Sequence, residues 1–364
     1  MELIRRILFG VAALVVLAVI AVLSYRAMLQ HRIATEVRIT SPNGVNEAEY
    51  IEINGAQEWI TIRGEDRNKP AILFLHGGPS EANSPFVPLY RPFENDFVFV
   101  QWDQPGAGMT YIKAGNHQPT LTLDGMAADG IAVAEYVRNE LHQPKIILIG
   151  QDWGGLLAIR MIEKRPELFT AFVGTGQIVG VFAAQLVQYE YALRHATASH
   201  DEKMLTALKP VGPPPYRTLE IYGDFQNCCR NPFWPLDDIA GINRMRGLLV
   251  SSPNLSITEV SGWVKGLRTG EKELDTSLMG MGDLRDKDTK FSVPVFFIQG
   301  ADDNVTPTSL VADYVSKIEA PVKNLDTIPG TGHFVMWTRP AEFLHALLND
   351  LRSASERSRV SPIR

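Results

Sequence analysis

Gly150-Gln151-Asp152-Trp153-Gly154-Gly155 sets one carboxylate at the centre of a run of small residues. The apolar stretch Lys145–Ile149 leads in, and a helix-forming stretch to about Lys164 leads out. A strand that turns this sharply into a helix presents its central side chain at the tip, as a nucleophile requires. Glycines suit the flanks because the turn crowds neighbouring backbone and strains the residue between them. Two later loops can complete the chemistry. Gly300-Ala301-Asp302-Asp303-Asn304-Val305-Thr306-Pro307 follows one apolar strand, and Gly330-Thr331-Gly332-His333-Phe334 follows the last. Nucleophile, acid and histidine then occur in a chain order known from catalytic triads. The residues themselves leave Asp302 and Asp303 both open as the acid.

A carboxylate nucleophile narrows the reaction. Attack on an amide would have to make an anhydride while expelling an amine, which is uphill. At an sp³ carbon the balance changes, because displacing a halide or opening a strained epoxide leaves a stable alkyl ester of Asp152. A histidine oriented by the acid then activates water against that ester's carbonyl carbon.

These loops need a scaffold that brings them to one edge. Ala71–Leu75, ending in His76-Gly77-Gly78-Pro79, and Phe97–Val100, followed by Asp103-Gln104-Pro105-Gly106, are short continuous apolar runs. Such runs suit strands buried on both faces. Ala171–Gly174, Val293–Gln299 and Lys323–Ile328 are further strands, with helices predicted over 122–142, 307–318 and 339–351. This alternation predicts an α/β fold, a mostly parallel sheet with helices on both faces. Ala48–Ile53 and Trp59–Arg63 around Asn54-Gly55 add an antiparallel hairpin. From about 176 to 291 the rhythm breaks, with Pro213-Pro214-Pro215, Cys228-Cys229 and the aromatics Tyr189, Tyr191, Tyr216, Tyr222, Phe225, Phe233, Trp234 and Trp263. Inserted between two strands, residues 178–290 would form a helical cap over the carboxyl edge, where open α/β sheets bind ligands. The core is then 46–177 with 291–351.

From about 46 to 351 the chain resembles α/β-hydrolase-fold enzymes, and two branches share its motifs. His76-Gly77-Gly78-Pro79 with Asp103-Gln104-Pro105-Gly106-Ala107-Gly108 is similar to the proline iminopeptidase loops, with Ser80 in place of a glycine and Pro105 in place of an arginine. The Asp152-Trp153 elbow resembles epoxide hydrolases and haloalkane dehalogenases instead. The resemblance implies an oxyanion hole from the backbone N–H groups of Gly78 and Trp153, and its spacing favours Asp303 as the acid. His76 reads as a structural loop histidine. An epoxide oxygen leaves as an alkoxide and needs an acid, for which the resemblance implies a cap tyrosine: Tyr189, Tyr191, Tyr216 or Tyr222. A dehalogenase needs N–H donors for halide, of which Trp153 offers one. The reading favours an epoxide hydrolase-like enzyme acting on a small molecule. The alternatives are a haloalkane dehalogenase, a proline iminopeptidase-like enzyme, or a catalytically silent ligand-binding relative.

Composition excludes other classes. The 364 residues are 45% apolar and 21% charged, with a net charge of −6. A mild acidic excess argues against a nucleic-acid groove, which needs clustered Lys and Arg. Two adjacent cysteines make no disulfide framework, and neither a Cys/His metal cluster nor a cofactor signature is present. Ile7–Tyr25 is a run of 19 uncharged residues. As a helix it spans roughly 28 Å, close to a bilayer's hydrocarbon thickness. Residues 1–26 are therefore expected to be a single-pass signal anchor, with the catalytic body extracytoplasmic. The rival is a cleaved signal peptide, against which the long run and the poor site Val22-Leu23-Ser24 argue. Residues 27–45 read as a linker and 352–364 as a disordered tail.

Overall fold

The computed structural model describes residues 1–228 and 234–360. Cys229 and Phe233, singled out above, and positions 361–364 lie outside the described residues. Eight strands form one sheet: β1 (Val45–Ile53), β2 (Ala56–Gly64), β3 (Ala71–Leu75), β4 (Val98–Asp103), β5 (Ile146–Gln151), β6 (Phe169–Thr175), β7 (Val295–Gly300) and β8 (Lys323–Ile328). Their spatial order is β1-β2-β4-β3-β5-β6-β7-β8. The hairpin β1–β2 is antiparallel and joins β4 antiparallel, while every pairing from β4 to β8 is parallel. Asn54 at φ 48° and Gly55 at φ 87° close the hairpin in the left-handed conformation that its two-residue turn demands.

The continuous apolar runs are strands because both faces are covered. All residues of β3, β4, β5 and β7 are buried. On one face pack α2 (Leu123–Glu140), α3 (Trp153–Lys164) and α9 (Thr308–Lys317), through residues such as Val133, Leu157 and Val311. On the other face pack α10 (Pro340–Val360), through Phe343 and Leu347, and the segment carrying Phe86 and Tyr90.

Between β6 and β7, among the described residues, lie five helices of ten residues or more: α4 (Val181–Ala198), α5 (Glu202–Val211), α6 (Leu219–Cys228), α7 (Leu236–Ser251) and α8 (Ile257–Gly280). No strand interrupts them among the described residues. A single antiparallel bridge, Gly180 to Asp283, brings the start and end of this excursion side by side. Long helix α8 approaches the core on a glycine stripe. A Cβ on Gly262 would lie 2.7 Å from Ile112, one on Gly266 2.9 Å from Tyr111, and one on Gly270 1.8 Å from Ser80 Oγ. Ser80 itself holds φ 70°. The serine that departs from the iminopeptidase pattern thus fits because the facing cap position has no side chain.

Two expectations are corrected. Helix α1 (Glu2–Glu36) does not end at 26 but continues through most of the expected linker. Nothing between 27 and 36 breaks a helix, and Ile33 packs against the core. Helix α10 likewise runs to Val360 through the segment expected to be a disordered tail. Leu347, Leu351 and Ala354 extend its apolar stripe onto the core, with Ala354 5% exposed. Helix α1 is long and apolar enough to cross a membrane.

The α8–core contact can be tested without touching the elbow. Gly270→Ala should destabilise by ~1–3 kcal/mol through overpacking against Ser80. Ser80→Gly should recover most of that loss in the double mutant, measured by denaturant unfolding. Additive effects of the two changes would show that these residues do not meet.

Candidate active site

Every candidate group comes from the carboxyl edge of the sheet or from the helices above it. Asp152 follows β5 at φ 52° and ψ −117°. A non-glycine residue held there costs on the order of 1–3 kcal/mol. The clearance comes from its neighbours. A Cβ on Gly154 would lie 2.1 Å from the Leu75 carbonyl oxygen, and one on Gly150 2.5 Å from that of Gly154. Only glycine lets α3 start this close to β3.

The Asp152 carboxylate faces two ways. Its Oδ2 accepts from the Gly78 N–H at 3.0 Å, while its Oδ1 stands 4.0 Å from His333 Nε2. Burial pushes the carboxyl upward from its ordinary value; His333 and the N–H groups of Gly78 and Trp153 pull it back. Gly78 and Trp153, the expected oxyanion donors, thus both bear on this carboxylate.

His333 is held from its other side. Its Nδ1 lies 3.1 Å from Asp303 Oδ2 and 3.1 Å from Thr306 Oγ1. Asp303 is fixed in turn by the N–H groups of Val305 and Thr306 on Oδ1, and by the Thr306 hydroxyl on Oδ2. Asp302 is exposed, so of the two neighbours Asp303 is the one that meets the histidine. Burial works against an imidazolium here. Asp303, Asp152 and Asp238 outweigh it and raise His333 to about 9.

Asp238 carried no signal in the sequence, where Pro235-Leu236-Asp237-Asp238 reads only as an acidic helix start. Fully buried at the start of α7, it accepts from the His333 N–H at 2.7 Å and, at 3.4 Å, from those of Gly332 and Phe334. Its neighbour Asp237 pairs with Arg339. The helices above the sheet therefore grip the histidine loop directly. Thr306 was also passed over, although Asp303-x-x-Thr306 is a spacing at which side chains turn back onto one another.

A cavity of about 420 Å³ lies over these groups, lined among others by Gly78, Asp152, His333, Tyr222, Glu81 and Glu271. Of the four candidate tyrosines only Tyr222 lines it. Its hydroxyl donates to Gln188 Oε1 at 2.8 Å, and burial, aided by Asp152, pushes it up to about 12. The Tyr216 hydroxyl donates to the Gly212 carbonyl, Tyr189 packs beside Phe225, and Tyr191 stacks on His195. Aromatic composition marked the region but could not tell pocket from packing. Glu81, raised to about 7 by burial and by Asp152, was also missed. Trp153 is 1% exposed, and its indole N–H does not line the cavity. His76 is buried and lowered to about 4, its Nε2 accepting from the Gln104 N–H, a loop-building role. Asp103 accepts from Ser84 and the Met109 N–H, so the Asp103–Gly108 motif also shapes a loop. Among the described residues no group of His, Cys, Asp or Glu is clustered to hold a metal ion.

The strand order, the elbow after β5, and the acid and histidine loops after β7 and β8 coincide with a known pattern. A family model described as the alpha/beta hydrolase fold matches residues 70–340. The chain belongs to the α/β-hydrolase fold family. This hydrolase is 26% identical over 310 residues to the probable aminopeptidase YbaC of Bacillus subtilis (strain 168), over 83% of this chain and 95% of that protein. A shorter match, 34% over 134 residues, links it to epoxide hydrolase 4 of Mus musculus, over 37% of this chain and 34% of the other. The solved structure of a proline iminopeptidase-related protein from Thermus thermophilus superposes with a TM-score of 0.58 at 17% identity, over 86% of this hydrolase and 99% of its own chain. The protein is thus an α/β-fold hydrolase with relatives in both branches that its motifs resemble.

The charge cluster sets a pH signature. Histidine-selective NMR should find His333 titrating near 9, and Asp303→Asn should lower it by about a unit or more. The folded value lies above the unfolded one of about 6.5. Its contribution to stability is therefore complete below about pH 6.5 and lost as pH rises through about 9. The thermal midpoint of the native protein should fall across that window relative to His333→Gln. Parallel curves would show that the imidazole is not held charged.

Proposed function

We propose that this hydrolase works through a covalent alkyl ester of Asp152, with an epoxide as the substrate class. The observation that carries the reading is the divided Asp152 carboxylate. One oxygen lies on a backbone donor while the other stands 4.0 Å from His333 Nε2, and Asp152 lines the cavity. In the first step Oδ1 attacks an epoxide carbon and the C–O bond of the ring breaks. Tyr222, its hydroxyl turning from Gln188 Oε1, donates its proton to the departing oxygen; a hydroxyl raised to about 12 still carries that proton at neutral pH. After this step protonated His333 returns a proton to the Tyr222 phenolate and so becomes the base. In the second step His333 takes a proton from water, which attacks Asp152 Cγ. Negative charge then develops on Oδ2, at the N–H groups of Gly78 and Trp153. On collapse His333 protonates the departing Oδ1 of the diol. The oxygen from water stays in Asp152, whose remaining proton passes back to His333.

The electrostatics favour this order. With Asp152 ionised, His333 is held protonated and is no base. Esterification removes the Asp152 charge and with it one of the three carboxylates that raise the imidazole. His333 therefore holds its proton less tightly once the ester exists, although Asp303 still raises it. A buried Trp153 indole outside the cavity speaks against halide as the leaving group. An aspartate nucleophile speaks against amides, despite the likeness to an aminopeptidase. Retention of a paired Asp303 and His333 speaks against a silent pocket. Within the same reading α1 is a single-pass membrane anchor, supported by an apolar run that stands wholly exposed.

Turnover of an epoxide panel in H₂¹⁸O tests the ester. The first turnover should give unlabelled diol, with ¹⁸O entering the Asp152 peptide, and later turnovers should give labelled diol. His333→Gln should accumulate protein heavier by one substrate, and Asp152→Asn should form neither adduct nor diol. Diol labelled from the first turnover, with Asp152 unlabelled, would mean direct attack by water and would sink the mechanism.

A further inference from the structure

We propose that the surface around the α7–α8 turn lies in the headgroup layer of the membrane that α1 enters, so that α1 holds the body rigidly against the bilayer. This rests on the reading of α1 as an anchor. Residues 1–25 of α1 are exposed, touching nothing in the body closely enough to be covered. The first grip is Arg26, the residue immediately after the apolar run Ile7–Tyr25. Its Nε donates to the Val250 carbonyl at 2.9 Å, and its guanidinium also reaches the Leu255 carbonyl. One turn on, Gln30 Nε2 donates to the Ser252 carbonyl at 2.7 Å. Ile33 then packs against the core, and the Val37 carbonyl accepts from the buried Arg63 guanidinium. Residues 26, 30, 33 and 37 fall on one helix face over roughly 16 Å. Contacts that long fix a direction, which a flexible tether would not.

The position of the first grip sets the height of the body. From Tyr25 to Arg26 the helix rises only about 1.5 Å. The C-terminal end of α7 and the turn after it must therefore lie where the apolar run leaves the hydrocarbon. The side chains exposed there suit that level. Val250 and Ile257, on either side of the turn, are each 56% exposed, and Pro253 between them is exposed too. Arg246, one turn before Val250 on α7, is exposed, as is Arg32 on α1. Apolar tips beside guanidinium groups match an acyl–headgroup boundary, where the former enter the lipid and the latter meet phosphate. The nearest carboxylate on α8, Glu259, is turned back to accept from the Ser256 N–H at 2.7 Å in a capping box. That cap also fixes the start of α8, and with it the outward position of Ile257. Helix α7 then runs from this surface to Asp238, which grips the His333 loop.

The test uses the full chain in nanodiscs of phosphatidylcholine with a minority of phosphatidylglycerol. A background of Cys228→Ser with Cys229→Ser takes single spin labels through Val250→Cys, Ile257→Cys, Leu17→Cys within the apolar run, and Lys145→Cys at the opposite end of β5. Power saturation with oxygen and with a water-soluble nickel chelate reads depth. Labels at 250 and 257 should be several-fold less accessible to nickel than the label at 145, with a depth between 145 and 17. If 250 and 257 match 145 while 17 reads as lipid-buried, the anchor stands and this surface is refuted. If 17 itself reads as aqueous, the anchor reading fails and the surface with it.

Discussion

A buried imidazole within reach of three carboxylates is the interaction on which the site depends. Each carboxylate arrives on a separate segment: Asp152 after β5, Asp303 after β7, and Asp238 on α7. A charge taken from water needs opposite charge and hydrogen bonds around it. The imidazolium is therefore stable only when the sheet edge and the helices above it are both in place. The same requirement makes the geometry sensitive to chemistry. Any reaction that neutralises Asp152 changes the proton affinity of the group beside it.

The helices between β6 and β7 do more than cover a cavity. Among their contacts with the core, Asp238 holds the histidine loop, Asp237 pairs with Arg339, and the glycines of α8 meet Ser80, Tyr111 and Ile112. Ser80 lies two residues from Gly78, whose N–H meets Asp152. Packing of α8 thus bears on the donor side of the carboxylate, and α7 on its histidine side. The closeness of α8 rests on absent side chains. Adding one methyl group there presses on a loop that already holds Ser80 in the left-handed region.

The motifs of this hydrolase divide between loops and elbow. Loops such as His76–Pro79 and Asp103–Gly108 serve mainly to build the edge, through a buried neutral His76 and a hydrogen-bonded Asp103. Their part in this hydrolase is to hold backbone donors such as the Gly78 N–H in place. The central residue of the elbow selects what those donors stabilise. With a carboxylate there, the oxygen lying on the Gly78 N–H belongs to the protein itself.

Sequence alone determined the alternating strands and helices, the elbow at Asp152 and the succession of acid and histidine. These are local in origin: a buried parallel strand must be apolar throughout, and a tight turn must be made of glycine. It also marked the apolar run, whose length a bilayer dictates. Tertiary structure decided what depends on distant partners. Asp302 and Asp303 are chemically alike, and only the path of the β7 loop sends one to His333 and the other to solvent. Four tyrosines shared a composition, yet only the fold of α4 and α6 brings the Tyr222 hydroxyl to Gln188 and the cavity. Asp238 acts across nearly a hundred positions on the N–H groups of another loop, which no local pattern encodes. The ends of α1 and α10 were misjudged for the same reason. Their last turns are polar in composition, and their helical state comes from a few apolar contacts with a core that only the folded chain assembles.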